Sequence, residues 1–88
     1  MEDQYDIPAT VVARQLTGET VILDLEKGIY FGLNAVGTRI WELLEQGQTP
    51  RHVCAVLAEE YEVAPADVER DALTLVAELL ARGLITPA

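Results

Sequence analysis

The hydrophobic residues of this chain change period at Asn34, and that switch limits what the chain can build. Before it, β-branched and aliphatic residues fall in short runs, Thr10 to Leu16, Thr20 to Leu25 and Ile29 to Leu33. In the second run Val21, Leu23 and Leu25 alternate with Ile22 and Asp24, the period of a strand with two distinct faces. Thr17-Gly18-Glu19 divides the first two runs as a tight turn would. Glu26-Lys27-Gly28 divides the next two, and Gly28 can take the positive φ of a three-residue hairpin loop. Connections this short join antiparallel neighbours, so the sequence predicts a three-stranded meander.

Beyond Asn34 the spacing becomes helical. Asn34 offers a side-chain cap to a helix with Val36, Ile40, Trp41, Leu43 and Leu44 on one stripe, ending at Gly47. Thr49-Pro50 places a capping hydroxyl before a first-turn proline, and Val53, Val56, Leu57 and Tyr61 form the next apolar face. Val63-Ala64-Pro65 breaks that helix. A last helix, about Ala66 to Arg82, lines up Val68, Ala72, Leu75 and Leu79, while Leu73, Val76, Ala77 and Leu80 widen the arc. Its opposite flank carries Asp67, Arg70, Asp71, Thr74 and Glu78, and either flank could face the third strand. Gly83 ends the helix, and Leu84-Ile85 close the core. The expected fold is α+β, a three-stranded antiparallel sheet followed by three helices, like a winged helix-turn-helix with its sheet moved to the front.

With 88 residues the chain fits one domain over 9–88, preceded by a polar, Pro8-containing stretch, 1–8, expected to be a flexible tail. Met1 to Pro8 lacks the basic start and apolar stretch of a signal peptide, and no apolar run approaches the roughly 20 residues that span a bilayer. A lone cysteine, Cys54, makes no internal disulfide. These features point to a cytoplasmic protein. A net charge of −9 repels nucleic acid and anionic membranes and favours a basic or neutral partner. The same charge could equally serve only to keep a small apolar domain in solution.

A search for catalytic groups comes back nearly empty. His52 and Cys54 are each the one residue of its kind. Two apart on a helix, they point about 200° away from each other, which suits neither a catalytic pair nor a zinc site. The acidic residues lack calcium-loop spacing, and Gly28, Gly32 and Gly37 match neither dinucleotide nor phosphate-loop patterns. No catalytic residue, metal or cofactor is therefore expected. What stands out is Gly28 to Leu33, an apolar, aromatic strand that the meander leaves at an edge. Gly32 omits a side chain where a second backbone would come close. Such an edge is either covered by the N-terminal segment or the last helix, or used to capture an extended peptide.

Ile29-Tyr30-Phe31-Gly32-Leu33-Asn34, followed by Gly37, Ile40, Trp41, Leu43, Leu44 and Gly47, resembles the PqqD-like family. That family supplies recognition elements for ribosomally made, modified peptides. Val53, Leu57, Tyr61, Val63, Val68, Asp71, Leu75, Leu79 and Gly83-Leu84-Ile85 extend the likeness over roughly 10–85. The resemblance implies that the leader segment of a precursor peptide binds between the third strand and the third helix. By that likeness Ile29, Tyr30, Phe31, Gly32 and Leu33 would form the pairing edge. Asp67, Arg70, Asp71, Thr74 and Leu75 would form the other wall. Tyr-Phe-Gly-Leu-Asn before the first helix looks most like the separate recognition proteins of lasso-peptide pathways. Their leaders carry a Tyr-x-x-Pro motif and pass to a cysteine leader peptidase. Such a protein would be a monomer or weak dimer. The rivals are a winged-helix DNA-binding domain, against which the charge and scarce basic residues argue, and a non-catalytic structural subunit of an enzyme complex.

Overall fold

Two left-handed glycines set the turns of the sheet. Gly18 (φ 72) and Gly28 (φ 70) take a conformation that side chains disfavour, and each ends the connection between neighbouring strands. The computed structural model describes residues 4–62 and 64–88, so the expected break at Val63 lies partly outside it. Within those residues the element order is β1 (Tyr5–Asp6), β2 (Val11–Leu16), β3 (Glu19–Asp24), β4 (Ile29–Leu33), α1 (Ala35–Glu45), α2 (Pro50–Tyr61), α3 (Pro65–Ala81) and β5 (Thr86–Pro87). The main sheet runs β2-β3-β4, antiparallel throughout, and β1 pairs with β5 in a second small sheet. This is the α+β arrangement of three strands and three helices that the change of period predicts.

Register decides which side chains reach the core. Ile22 stands between Ala13 and Phe31, and Asp24 between Val11 and Ile29. Thr20, Ile22 and Asp24 are buried, while Leu23 and Leu25 on the more apolar alternate set are exposed. Asp24 turns inward because its Oδ1 accepts the N–H groups of Glu26 and Lys27 and so holds the turn. That turn occupies Leu25 to Gly28, one residue longer than the spacing suggests.

Each helix begins on the signal the sequence carries. Gly37 N donates to Asn34 Oδ1 at 2.8 Å, and His52 N donates to Thr49 Oγ1 at 3.3 Å, with Pro50 in the first turn of α2. α3 opens on Pro65 without a side-chain cap. Ile40, Trp41, Leu43 and Leu44 pack with Val53, Leu57, Val68, Ala72, Val76 and Leu79, and Leu84 and Ile85 close the same core. Fully burying one such side chain stabilises the fold by about 1.5–3 kcal/mol.

Two expectations change. The stretch 1–8, expected to be a free tail, is tied down where it is described: Tyr5 pairs with Pro87, Asp6 with Thr86, and Ala88 N donates to Gln4 O. Tyr5 and Ile7 also pack against the core, which gives this short polar segment an apolar reason to stay. On α3 the buried line is Val68, Ala72, Val76 and Leu79, and Leu75 moves to its margin. Val76 wins because the helix presents its Val68-Ala72 side to α2, which turns Leu75 toward β4.

Candidate peptide-binding groove

β4 is an edge strand, and among the described residues no strand pairs with its outer side. The N-terminal segment, one of the two covers the sequence leaves open, pairs with β5 instead. Because antiparallel bonds alternate in direction, every second residue of β4 turns its N–H and C=O outward. Beside that edge lies a cleft of about 360 Å³. Phe31, Gly32 and Leu33 form one wall, Asp71, Thr74, Leu75 and Glu78 of α3 the other, and Val36, Gly37 and Ile40 of α1 one end. The charged flank of α3, together with Leu75, is thus the one that faces the third strand of the main sheet.

A second, more apolar cavity of about 160 Å³ continues from the first. Val36, Ile40 and Asp71 line both, and Leu57, Tyr61, Asp67 and Val68 complete the second. At Gly37 an added Cβ would press on Leu33 at 3.3 Å, so glycine here lets the start of α1 sit close under β4.

The polar atoms of the α3 wall are partly engaged. Arg70 pairs with Asp67 at 3.3 Å and with Asp71 at 3.6 Å, and Thr74 Oγ1 donates to the Arg70 carbonyl at 2.8 Å. Arg70 itself lines neither cavity. At the other end the Arg82 guanidinium lies 4.9 Å from the centre of the Phe31 ring, a cation–π contact that fixes that groove wall.

Of the residues singled out from sequence, Phe31, Gly32, Leu33, Asp71, Thr74 and Leu75 meet in the main cleft. Asp67 lines the adjoining cavity. Ile29 lies at the start of the edge, and Tyr30 shares the outer sheet face with its neighbours Leu23 and Val12. Tyr30 is 73% exposed there, so its backbone rather than its side chain belongs to the edge. Asn34, Val36, Gly37, Ile40, Leu57, Tyr61, Val68 and Glu78 were not among the expected lining residues. Their apolar members read as helix core from spacing alone, and only the structure shows Val36, the second residue of α1, to be exposed.

Cys54 and His52, the two groups weighed from the sequence as catalytic candidates, line neither cavity. Burial, with help from Glu69, pushes the Cys54 thiol up, away from the reactive thiolate, and His52 is exposed on α2. Among the described residues no cluster of three or more His, Cys, Asp or Glu could hold a metal. No described helix is long and apolar enough to cross a membrane.

Comparison with known proteins gives the same picture of the fold. The family model for coenzyme PQQ synthesis protein D matches residues 19–85. Among solved structures, TbiB1 in complex with the TbiA(beta) leader peptide is 40% identical, with 91% of this chain and 93% of that one covered at a TM-score of 0.85. A lasso peptide synthetase B1 complexed with its leader peptide is 32% identical, covering 96% and 99% at a TM-score of 0.86. No curated relative matches the chain.

Proposed function

This chain belongs to the PqqD family, and on that premise we propose that it binds the leader segment of a ribosomal precursor peptide of the lasso type and takes no part in covalent chemistry. The observation that carries the reading is the open cleft between the unpaired edge of β4 and the Asp71-to-Glu78 flank of α3. A leader running antiparallel to β4 would add a fourth strand, its backbone completing the ladder and its alternate side chains entering the cleft. The apolar cavity beyond Val36 and Ile40 suits a buried anchor such as the tyrosine or proline of a Tyr-x-x-Pro motif. Ladder bonds contribute about 0.5–1.5 kcal/mol each and are largely offset by the cost of ordering a flexible peptide, so the anchors set the affinity.

Delivery to a leader peptidase is the second half of the proposal. Val12, Leu23 and Tyr30 lie in one row across the outer face of the sheet, 42%, 38% and 73% exposed. A leader added at β4 would widen that same face, giving the receiving enzyme an apolar surface that is complete only when cargo is loaded.

Fluorescence polarisation with a labelled lasso-type leader tests the binding half. Saturable binding of roughly −8 to −12 kcal/mol, lost when the tyrosine and proline become alanine, is the expected result. Absence of binding to the folded protein would sink it. Tyr30→Pro tests the strand pairing: removing a backbone donor should weaken binding by a few-fold to tenfold. Unchanged affinity would mean that the leader does not pair at this edge.

A further inference from the structure

The groove is electrostatically polar from end to end. At the Leu33–Val36 end stand Asp67 and Asp71, with Arg70 offsetting one of the two charges. Glu78 lies between the ends on the same wall. At the Phe31 end Arg82 covers the ring, and Lys27 Nζ donates to the Arg82 carbonyl at 3.4 Å, so two of the chain's six basic residues share one corner. In a molecule of net charge −9 that corner gathers two cations beside Phe31, with Glu78 one turn before Arg82 on α3.

We propose that this polarity selects the charge order of the bound peptide: basic residues at the N-terminal end of the docked strand, acidic residues toward its C-terminal end. The inference rests on the leader-binding reading and on antiparallel docking. An antiparallel strand begins beside Leu33, where Asp67 and Asp71 stand, and leaves past Phe31 toward Arg82 and Lys27. Fifteen positions of α3 separate Asp67 from Arg82, about 22 Å at 1.5 Å per residue. A strand covers that length in about six or seven residues, which fixes the spacing of the two charged segments. The second cavity would hold an anchor at one end only, and the unequal charge of the groove's ends adds to that preference, because a reversed peptide meets like charge at both.

The test uses the fluorescein-labelled TbiA(beta) leader peptide and two variants of it with equal composition. One carries Lys-Lys at the N-terminal end of the segment that docks on β4 and Glu-Glu about six residues later; the other has the two pairs exchanged. At low salt the first should bind about tenfold more tightly than the second, and the gap should shrink at about 1 M salt. Arg82→Glu and Lys27→Glu, combined in a protein checked for an unchanged circular dichroism spectrum, should narrow or invert the preference. Failure of the unaltered leader to bind would overturn leader recognition itself, and this inference with it. Binding of the unaltered leader with equal affinity for the two variants, or equal loss of both, would overturn the charge-order inference alone.

Discussion

α3 has two long sides with opposite fates. Toward α2, Ala72, Val76 and Leu79 are sealed into the core, and Val68 is buried beside the second cavity. Toward β4, Asp71, Thr74, Leu75 and Glu78 look across an open cleft at Phe31, Gly32 and Leu33. One helix therefore holds the molecule together with one side and keeps the other incompletely packed. Closing the second side as tightly as the first would stabilise the fold and remove the space a strand needs. The division also means that stability and peptide affinity should respond to different residues of the same helix.

The largest test of that division is Leu79→Ala on the sealed side, where the side chain is 0% exposed. It should cost about 2–5 kcal/mol in urea unfolding, a large share of the stability of a domain this size. Leu75→Ala on the open side should cost only about 1 kcal/mol of stability yet weaken leader binding about tenfold by calorimetry. Equal effects of the two on both measurements would erase the distinction. Gly32→Ala reaches the facing wall: an added Cβ meets nothing within 4 Å, so the free protein should gain about 0.5 kcal/mol. Its leader affinity should nonetheless fall if a second backbone comes close there.

The smallest effect belongs to the surface ion pair linking α1 to α2, where Arg39 Nε and Nη2 donate to the Glu60 carboxylate at 3.0 and 2.9 Å. Arg39 holds the Glu60 carboxyl below its ordinary range. A depressed carboxylate contributes stability that is present above its unfolded pKa and is lost as pH falls through the folded one. Arg39→Gln should lower the melting temperature slightly at neutral pH, and the difference should shrink as pH falls below the ordinary carboxylate range. Leader affinity should not change, since this pair lies outside the groove.

Much of the groove is legible in the sequence. The edge strand Ile29–Leu33 was legible because short glycine turns force a meander, and a meander leaves its third strand outermost. The resemblance carried by Tyr30-Phe31-Gly32-Leu33-Asn34 supplied the pairing of that edge with α3. Less legible were the contributions of α1 and α2. Val36, Ile40, Leu57 and Tyr61 fit a buried helix stripe, and periodicity marks a side chain as apolar without saying whether its neighbour is protein or open space. Tyr5–Asp6 was missed for a related reason: a two-residue strand has no period to detect, and its partner lies at the far end of the chain.

By itself, then, the sequence determined the elements and their order, because caps, turn glycines and hydrophobic period act over a few neighbouring residues. Tertiary structure alone decided which flank of α3 faces β4 and which face of β3 turns inward. It also decided that β1 closes on β5 and leaves the β4 edge open. Those choices depend on how all the apolar surfaces are shared at once, and no local stretch of chain contains that information.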